Sequence, residues 1–267
     1  MKTVALFNIK FIFFCIFFSF SRSVQASGEL VSTDARSFAL GNLHALSREA
    51  LNPAYLSFHT KKQLSASALN RFEMKELNTV YLQGKYPNRF LDTGFTFSHY
   101  GYEDYRIIQT QAGLAKKILP ELSIGINLTY YRKSSFWEEN AQNRLASDIG
   151  IYYRINPKFE LAFLADNVLH TFPEECWNIY GGMSYKVSEA CSLLAETTCG
   201  AIHPFDFSLG IEYEPAEELK VRAGTQVLLK APSFGVAYLW NKWTIDAGFS
   251  LHPVLGTSSI IGLNYCF

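Results

Sequence analysis

The sequence predicts an all-β chain: a transmembrane antiparallel β-barrel of about fourteen strands with a short N-terminal plug segment. Three observations lead there. The last stretch, 257–267, alternates strictly and stops on an aromatic, Phe267. Some fourteen alternating segments fill residues 62–267, separated by turn residues. Tight turns and looser links take turns along that series, as they do in barrels whose two rims face different compartments.

The N-terminus reads first. Met1-Lys2 and Lys10 flank a start, Phe11 to Phe20 is almost entirely Phe, Ile and Cys, and Val24-Gln25-Ala26 supplies a small-x-small ending before Ser27. That three-part layout predicts a signal peptide over 1–26, with an apolar core too short to span a membrane as a helix. Residues 27–61 follow with mixed, partly helical spacing, broken by Asn52-Pro53-Ala54. They form the expected plug, because a barrel of about fourteen strands is too wide for its wall side chains alone to fill.

From Lys62 the strands are expected at 62–70, 77–86, 90–100, 105–117, 121–133, 145–156, 158–169, 177–187, 190–199, 204–214, 218–228, 232–240, 242–252 and 257–267. In the clearest, Ile124, Ile126 and Leu128 oppose Ser123, Gly125 and Asn127, and Phe207, Leu209 and Ile211 oppose Ser208, Gly210 and Glu212. The second set separates the two all-β readings. A sandwich turns a Lys- and Glu-rich face to water, whereas Gly, Ser, Asn and Thr with isolated acids suit a crowded lumen and the Ile, Leu and Phe set suits lipid. The turns around 118–120, 157, 188–189, 215–217 and 241–242 are tight and fall at one end, the periplasmic one if the C-terminus is periplasmic. Trp240 and Trp243 flank the last of these at the depth of an interfacial girdle. The final strand, with Ile261, Leu263, Tyr265 and Phe267 on one face, resembles the C-terminal signal that the barrel assembly machinery reads in bacterial outer-membrane barrels.

Composition excludes several classes. Net charge is zero and charged residues make up 18%, so no basic surface calls for nucleic acid. Aromatics reach 15%, which fits a lipid-facing wall. Cysteine and histidine spacing suggests neither a metal nor a cofactor.

A family resemblance enters with Ala35-Arg-Ser-Phe-Ala-Leu-Gly41, Ala45-Leu46 and Asn52-Pro53-Ala54. Together they are similar to the opening of fourteen-stranded barrels of the FadL-like superfamily, nearest the PorV/PorQ group associated with type IX secretion. Asp166-Asn167-Val168 resembles a recurring Asn-Val of that group, while Gly41-Asn42 stands where its members commonly carry a Gly pair. The resemblance implies a location in the outer membrane of a Gram-negative bacterium and one of two non-enzymatic roles. FadL-like members pass hydrophobic molecules through a plugged lumen; PorV-like members hold exported proteins for secretion and surface assembly. Either role makes Asn52, Pro53 and Ala54 a hinge or anchor. A purely structural subunit of a larger outer-membrane complex, or a lipid-modifying barrel enzyme using a rim His such as His252 beside Ser250, stands as the alternative.

Alternation points Asp148, Arg154, Asp166, Glu212 and Asp246 into the lumen. Charges there are costly unless paired or hydrated, so they are expected to pair with one another, to hold the plug, or to select what passes. Cys176 and Cys199 fall at the same end of one hairpin, where an exported chain can form a disulfide; Cys191 and Cys266 should be free.

Overall fold

The computed structural model describes residues 34–48, 51–58, 61–136, 141–169, 177–200 and 205–267. The expected signal peptide lies outside them. The chain forms a short helix, α1 (Ala35–Ala39), and a 3-10 helix at Pro53–Phe58. The strands follow: β1 (Gln63–Asn70), β2 (Asn78–Tyr86), β3 (Asp92–Gly101), β4 (Tyr105–Lys117), β5 (Leu122–Ser135), β6 (Gln142–Asn156) and β7 (Phe159–Asp166). The second half holds β8 (Asn178–Ser188), β9 (Cys191–Gly200), β10 (Asp206–Ala216), β11 (Leu219–Gln226), β12 (Ala231–Trp240), β13 (Trp243–His252) and β14 (Gly256–Cys266).

Each strand pairs antiparallel with its sequence neighbours, and β1 pairs with β14 from Gln63↔Cys266 to Asn70↔Ser259. The result is a closed fourteen-stranded barrel. Closure leaves no edge for the apolar C-terminal strand to expose, and the Phe267 N–H donates to Lys62 O at 3.1 Å. No helix among the described residues is long and apolar enough to cross a membrane; the strands do the crossing.

Every segment of the alternating series is a strand here, with small shifts at the ends. The largest is at β7, expected to reach 169 but ending at Asp166. Asn167 takes φ 52°, which leaves the extended region, and Val168 N–H turns back to Ser147 O at 2.7 Å. At the other extreme, β6 starts three residues earlier than the alternation suggested, because Gln142 and Asn143 still pair with Lys133 and Arg132.

The two faces of each strand differ as the pattern required. On β5 the side chains of Ile124, Ile126 and Leu128 are exposed, while Ser123, Asn127 and Thr129 are buried. Burial on the Gly/Ser/Asn side has one cause: residues 34–48 and 51–58 lie inside the barrel. The hydrophobic core is therefore the interior of the cylinder. Leu40, Leu43 and Leu46 of the inner segment pack with Leu164, Tyr180 and Leu194 of the wall.

Candidate functional site

The site is the plugged lumen. Its first component is α1 and the turn after it. Asp34 caps the helix, accepting from Ser37 N at 2.7 Å and Ser37 Oγ at 2.8 Å, and it also accepts from Ser47 Oγ at 2.6 Å. The helix ends in two successive left-handed residues, Gly41 (φ 87°) and Asn42 (φ 57°). Asn is the side chain that tolerates this conformation most readily after Gly, so Asn42 can fill the second place of a Gly pair. A Cβ at Gly41 would also come within 2.9 Å of the Thr225 backbone, so the turn is seated as well as bent. From there Gly41 N–H donates to Ser233 Oγ at 2.9 Å, and Ser233 Oγ donates to Ala39 O at 3.0 Å.

Next comes a buried ion-pair chain. Arg36 holds Glu212 in a bidentate pair, Nε to Oε2 at 3.0 Å and Nη2 to Oε1 at 3.1 Å. Arg222 Nε donates to the same carboxylate at 2.7 Å, and its Nη1 pairs with Asp246. Asp246 in turn accepts from Asn264 Nδ2 at 3.1 Å. The plug, β10, β11, β13 and β14 are thus joined through four charges of alternating sign, with geometry that favours Arg over Lys at both cationic places. Charges this deep are tolerated because each has partners.

On the strand next to β10, Glu196 of β9 cradles the backbone of the plug. His44 N–H and Leu46 N–H donate to its two oxygens at 2.7 and 3.1 Å. The His44 ring stacks on Tyr180 at 4.4 Å, and burial pushes the imidazole down to about 4, so the ring is neutral at pH 7.

The Asn-Pro-Ala turn is a third anchor. Asn52 Nδ2 donates to Ala45 O (2.8 Å) within the plug and to Phe163 O (3.2 Å) in the wall, while its Oδ1 accepts from Ala54 N–H at 3.0 Å. Ser123 Oγ donates to Ala54 O. Below the turn, Tyr55 and Phe58 pack on Tyr152 with centroids 4.5 and 4.4 Å away, and Phe58 lies under both Lys117 Nζ (4.4 Å) and Arg154 (5.1 Å).

Glycines make room for all of this. A Cβ on Gly125 would sit 2.6 Å from Pro53 C, one on Gly182 2.6 Å from Leu46 Cγ, and one on Gly210 2.9 Å from Leu40 O. The inner faces of Gly150, Gly224 and Gly235 are likewise closed by Asn52, Leu40 and Ala39. A wall residue of any size at these places would meet the plug.

The five charges singled out in the sequence separate into three places. Glu212 and Asp246 join the chain with Arg36 and Arg222. Arg154 is toward the end of the barrel that holds the tight turns, 3.7 Å from Glu160 and against Phe58. Asp148 and Asp166 are neighbours toward the opposite end, where Asp148 also accepts from Asn167 N–H at 3.1 Å and lies 3.5 Å from Gln111 Nε2. Sequence reasoning missed Arg36, Glu196 and Arg222. Glu196 and Arg222 stood on the inward side of their alternation, and that signal could have found them.

The remaining candidates are at the surface. Ile261, Leu263 and Phe267 face outward, and Tyr265 packs on Trp243 at 4.5 Å. Cys199, next to last in β9, is a free, exposed thiol, while Cys176 lies outside the described residues, as do His170 and His203. Cys191 and Cys266 are free. His252 Nδ1 accepts the backbone N–H groups of Val254 (3.2 Å) and Leu255 (3.1 Å), a use that serves its own turn.

No protein-family model matches the chain, and no curated protein does. Solved structures do match in fold. The monoaromatic hydrocarbon channel CymD is similar with a TM-score of 0.68 at 12% identity, over 90% of this chain and 99% of that one. The Pseudomonas putida toluene transporter TodX matches with a TM-score of 0.64 at 12% identity, over 89% and 97% of the two chains. A Pseudomonas aeruginosa FadL homologue matches with a TM-score of 0.55 at 12% identity, over 90% and 99%. At this level of identity the likeness is one of fold.

Proposed function

We propose that this chain is a non-enzymatic outer-membrane barrel of the FadL type that passes small hydrophobic molecules past an N-terminal plug, residues 27–61, behind a cleaved signal peptide, 1–26. The observation that carries this reading is the lumen itself. Its middle is occupied by Leu40, Leu43, Leu46 and Ala54, all at most 1% exposed, so no broad water column runs through it. A sugar or ion channel needs such a column, whereas a greasy solute needs only a yielding apolar path. The likeness in fold to toluene and monoaromatic hydrocarbon channels supports the same solute class. The outward Ile261, Leu263, Tyr265 and Phe267 would serve as the signal to the barrel assembly machinery, and membrane lipid would cover the Ile, Leu and Phe face.

The test is reconstitution. Proteoliposomes carrying the protein are expected to admit a monoaromatic such as toluene faster than empty vesicles, while showing no osmotic swelling in arabinose. Swelling in sugar, or no gain in uptake of the aromatic, would count against the proposal.

A second reading, docking of exported proteins as a PorV/PorQ-like secretion component, draws on the same filled lumen and on Phe136, 73% exposed beside the longest extracellular link. Affinity purification from native membranes separates the two: a co-purifying exported protein favours docking, a co-purifying apolar small molecule favours passage.

A further inference from the structure

The barrel wall is not of even height. β5 and β6 have 14 and 15 residues, whereas β1, β7 and β11 have 8 each and β12 and β13 have 10 each. At about 3.3 Å per residue and a tilt near 45°, β11 rises only about 19 Å, against about 33 Å for β5. A lipid-facing band needs roughly 25 Å. On the tall side that band has a clear upper limit. Tyr130 bonds Asn143 at 2.8 Å, and outward-facing Arg132 and Arg106 stand above it. On the low side no such limit occurs before the turns. Phe249 and Leu251 run directly into Val254 (83% exposed) and Leu255, and the β11–β12 turn carries Leu228 (62% exposed).

Most backbone N–H groups of these two turns have partners within the protein. Val227 N–H goes to Phe207 O (2.8 Å), Leu228 N–H to Asp206 Oδ1 (3.4 Å) and Lys230 N–H to Val227 O (3.3 Å). His252 Nδ1 takes both Val254 and Leu255 N–H. Turns in water often make such bonds as well, but turns in hydrocarbon cannot do without them. Lys230 is the one charged residue of the two tips, and its stem is long enough to reach the headgroups.

We propose that the β11–β12 and β13–β14 turns are immersed in the acyl chains of the outer leaflet, so that the barrel mouth on this side opens at the level of lipid and not of water. The occupant of the surface formed by Leu228, Leu229, Val254 and Leu255 is lipid hydrocarbon. This rests on the membrane-barrel reading and deepens the proposed function: a hydrophobic solute dissolved in the leaflet meets the plug across the low rim, without entering the aqueous exterior.

The experiment is a depth measurement by spin labelling in liposomes. Single labels go on Leu228→Cys, Val254→Cys and Phe136→Cys, in protein whose four mature cysteines are replaced (Cys176→Ser, Cys191→Ser, Cys199→Ser, Cys266→Ser). Folding of each variant is checked by its heat-dependent mobility in SDS. The labels at 228 and 254 are expected to relax several-fold more with oxygen than with a water-soluble nickel chelate, and the label at 136 the reverse. If either turn label responds to the nickel chelate as the label at 136 does, the proposal is overturned. The readout needs no transport: immersed turns on a barrel that admits no aromatic sink the passage reading alone, and water-exposed turns on one that does sink this inference alone.

Discussion

Glu212 is the residue on which most of the buried charge depends, because both Arg36 and Arg222 donate to it. Removing its charge leaves the buried Arg36 without its carboxylate partner and Arg222 with Asp246 alone. Glu212→Gln is therefore expected to destabilise the protein by about 3 kcal/mol, the usual cost of leaving a buried charge without its partner. Urea unfolding in detergent micelles would show it, and pairing Glu212→Gln with Arg36→Met should recover part of the loss. His44 makes the opposite kind of prediction. Its folded value of about 4 lies below the ordinary 6.5, so the unfolded chain binds a proton between those limits and the folded chain does not. Stability is unaffected above pH 6.5 and falls as pH drops from there toward 4. The drop in thermal midpoint between pH 7 and pH 5 is expected to be smaller in His44→Phe, which keeps a ring against Tyr180.

At the scale of elements, the wall and the plug meet through absent side chains. Gly181 and Gly182 test this, since they are adjacent in β8 and face opposite ways. A Cβ at Gly182 would press on Leu46 Cγ at 2.6 Å, whereas one at Gly181 finds its nearest atom, Phe163 Cε1, at an ordinary 3.5 Å. Gly182→Ala is expected to loosen the plug, seen as faster trypsin cleavage at Arg36 and Arg48 in the folded barrel, while Gly181→Ala leaves the rate unchanged. The pair also explains what was legible beforehand. Period-two alternation is a local signal, and it located all fourteen strands and their inner and outer faces. Which glycine admits which plug residue is not local: Gly182 and Leu46 are far apart in the chain, and nothing near either names the other. Arg36 was invisible as a lumen charge for a related reason. It lies on a five-residue helix, too short for a periodic face, and its partner Glu212 is 176 positions away.

At the scale of the whole molecule, the barrel encloses its own core. Most membrane barrels of this width must fill or flood the interior, and here residues 34–48 and 51–58 fill it with apolar packing on the β6–β9 side and ion pairs on the β10–β14 side. Deleting residues 34–58 is expected to yield either vesicles that swell in arabinose or a chain that fails to reach its heat-resistant form; a tight, well-folded deletion variant would mean the segment is not what closes the lumen.

The ion-pair chain joins opposite ends of the polypeptide. Arg36 is among the first residues described, whereas Asp246 and Asn264 belong to the final two strands, which seal the cylinder against Gln63–Asn70. During biogenesis Arg36 can meet Glu212 once β10 is in place, but Arg222 beside it would wait without Asp246 until the late hairpin arrives. Completion of the seam then also completes the pairing that holds the stopper, and a half-built sheet has no stable way to finish empty.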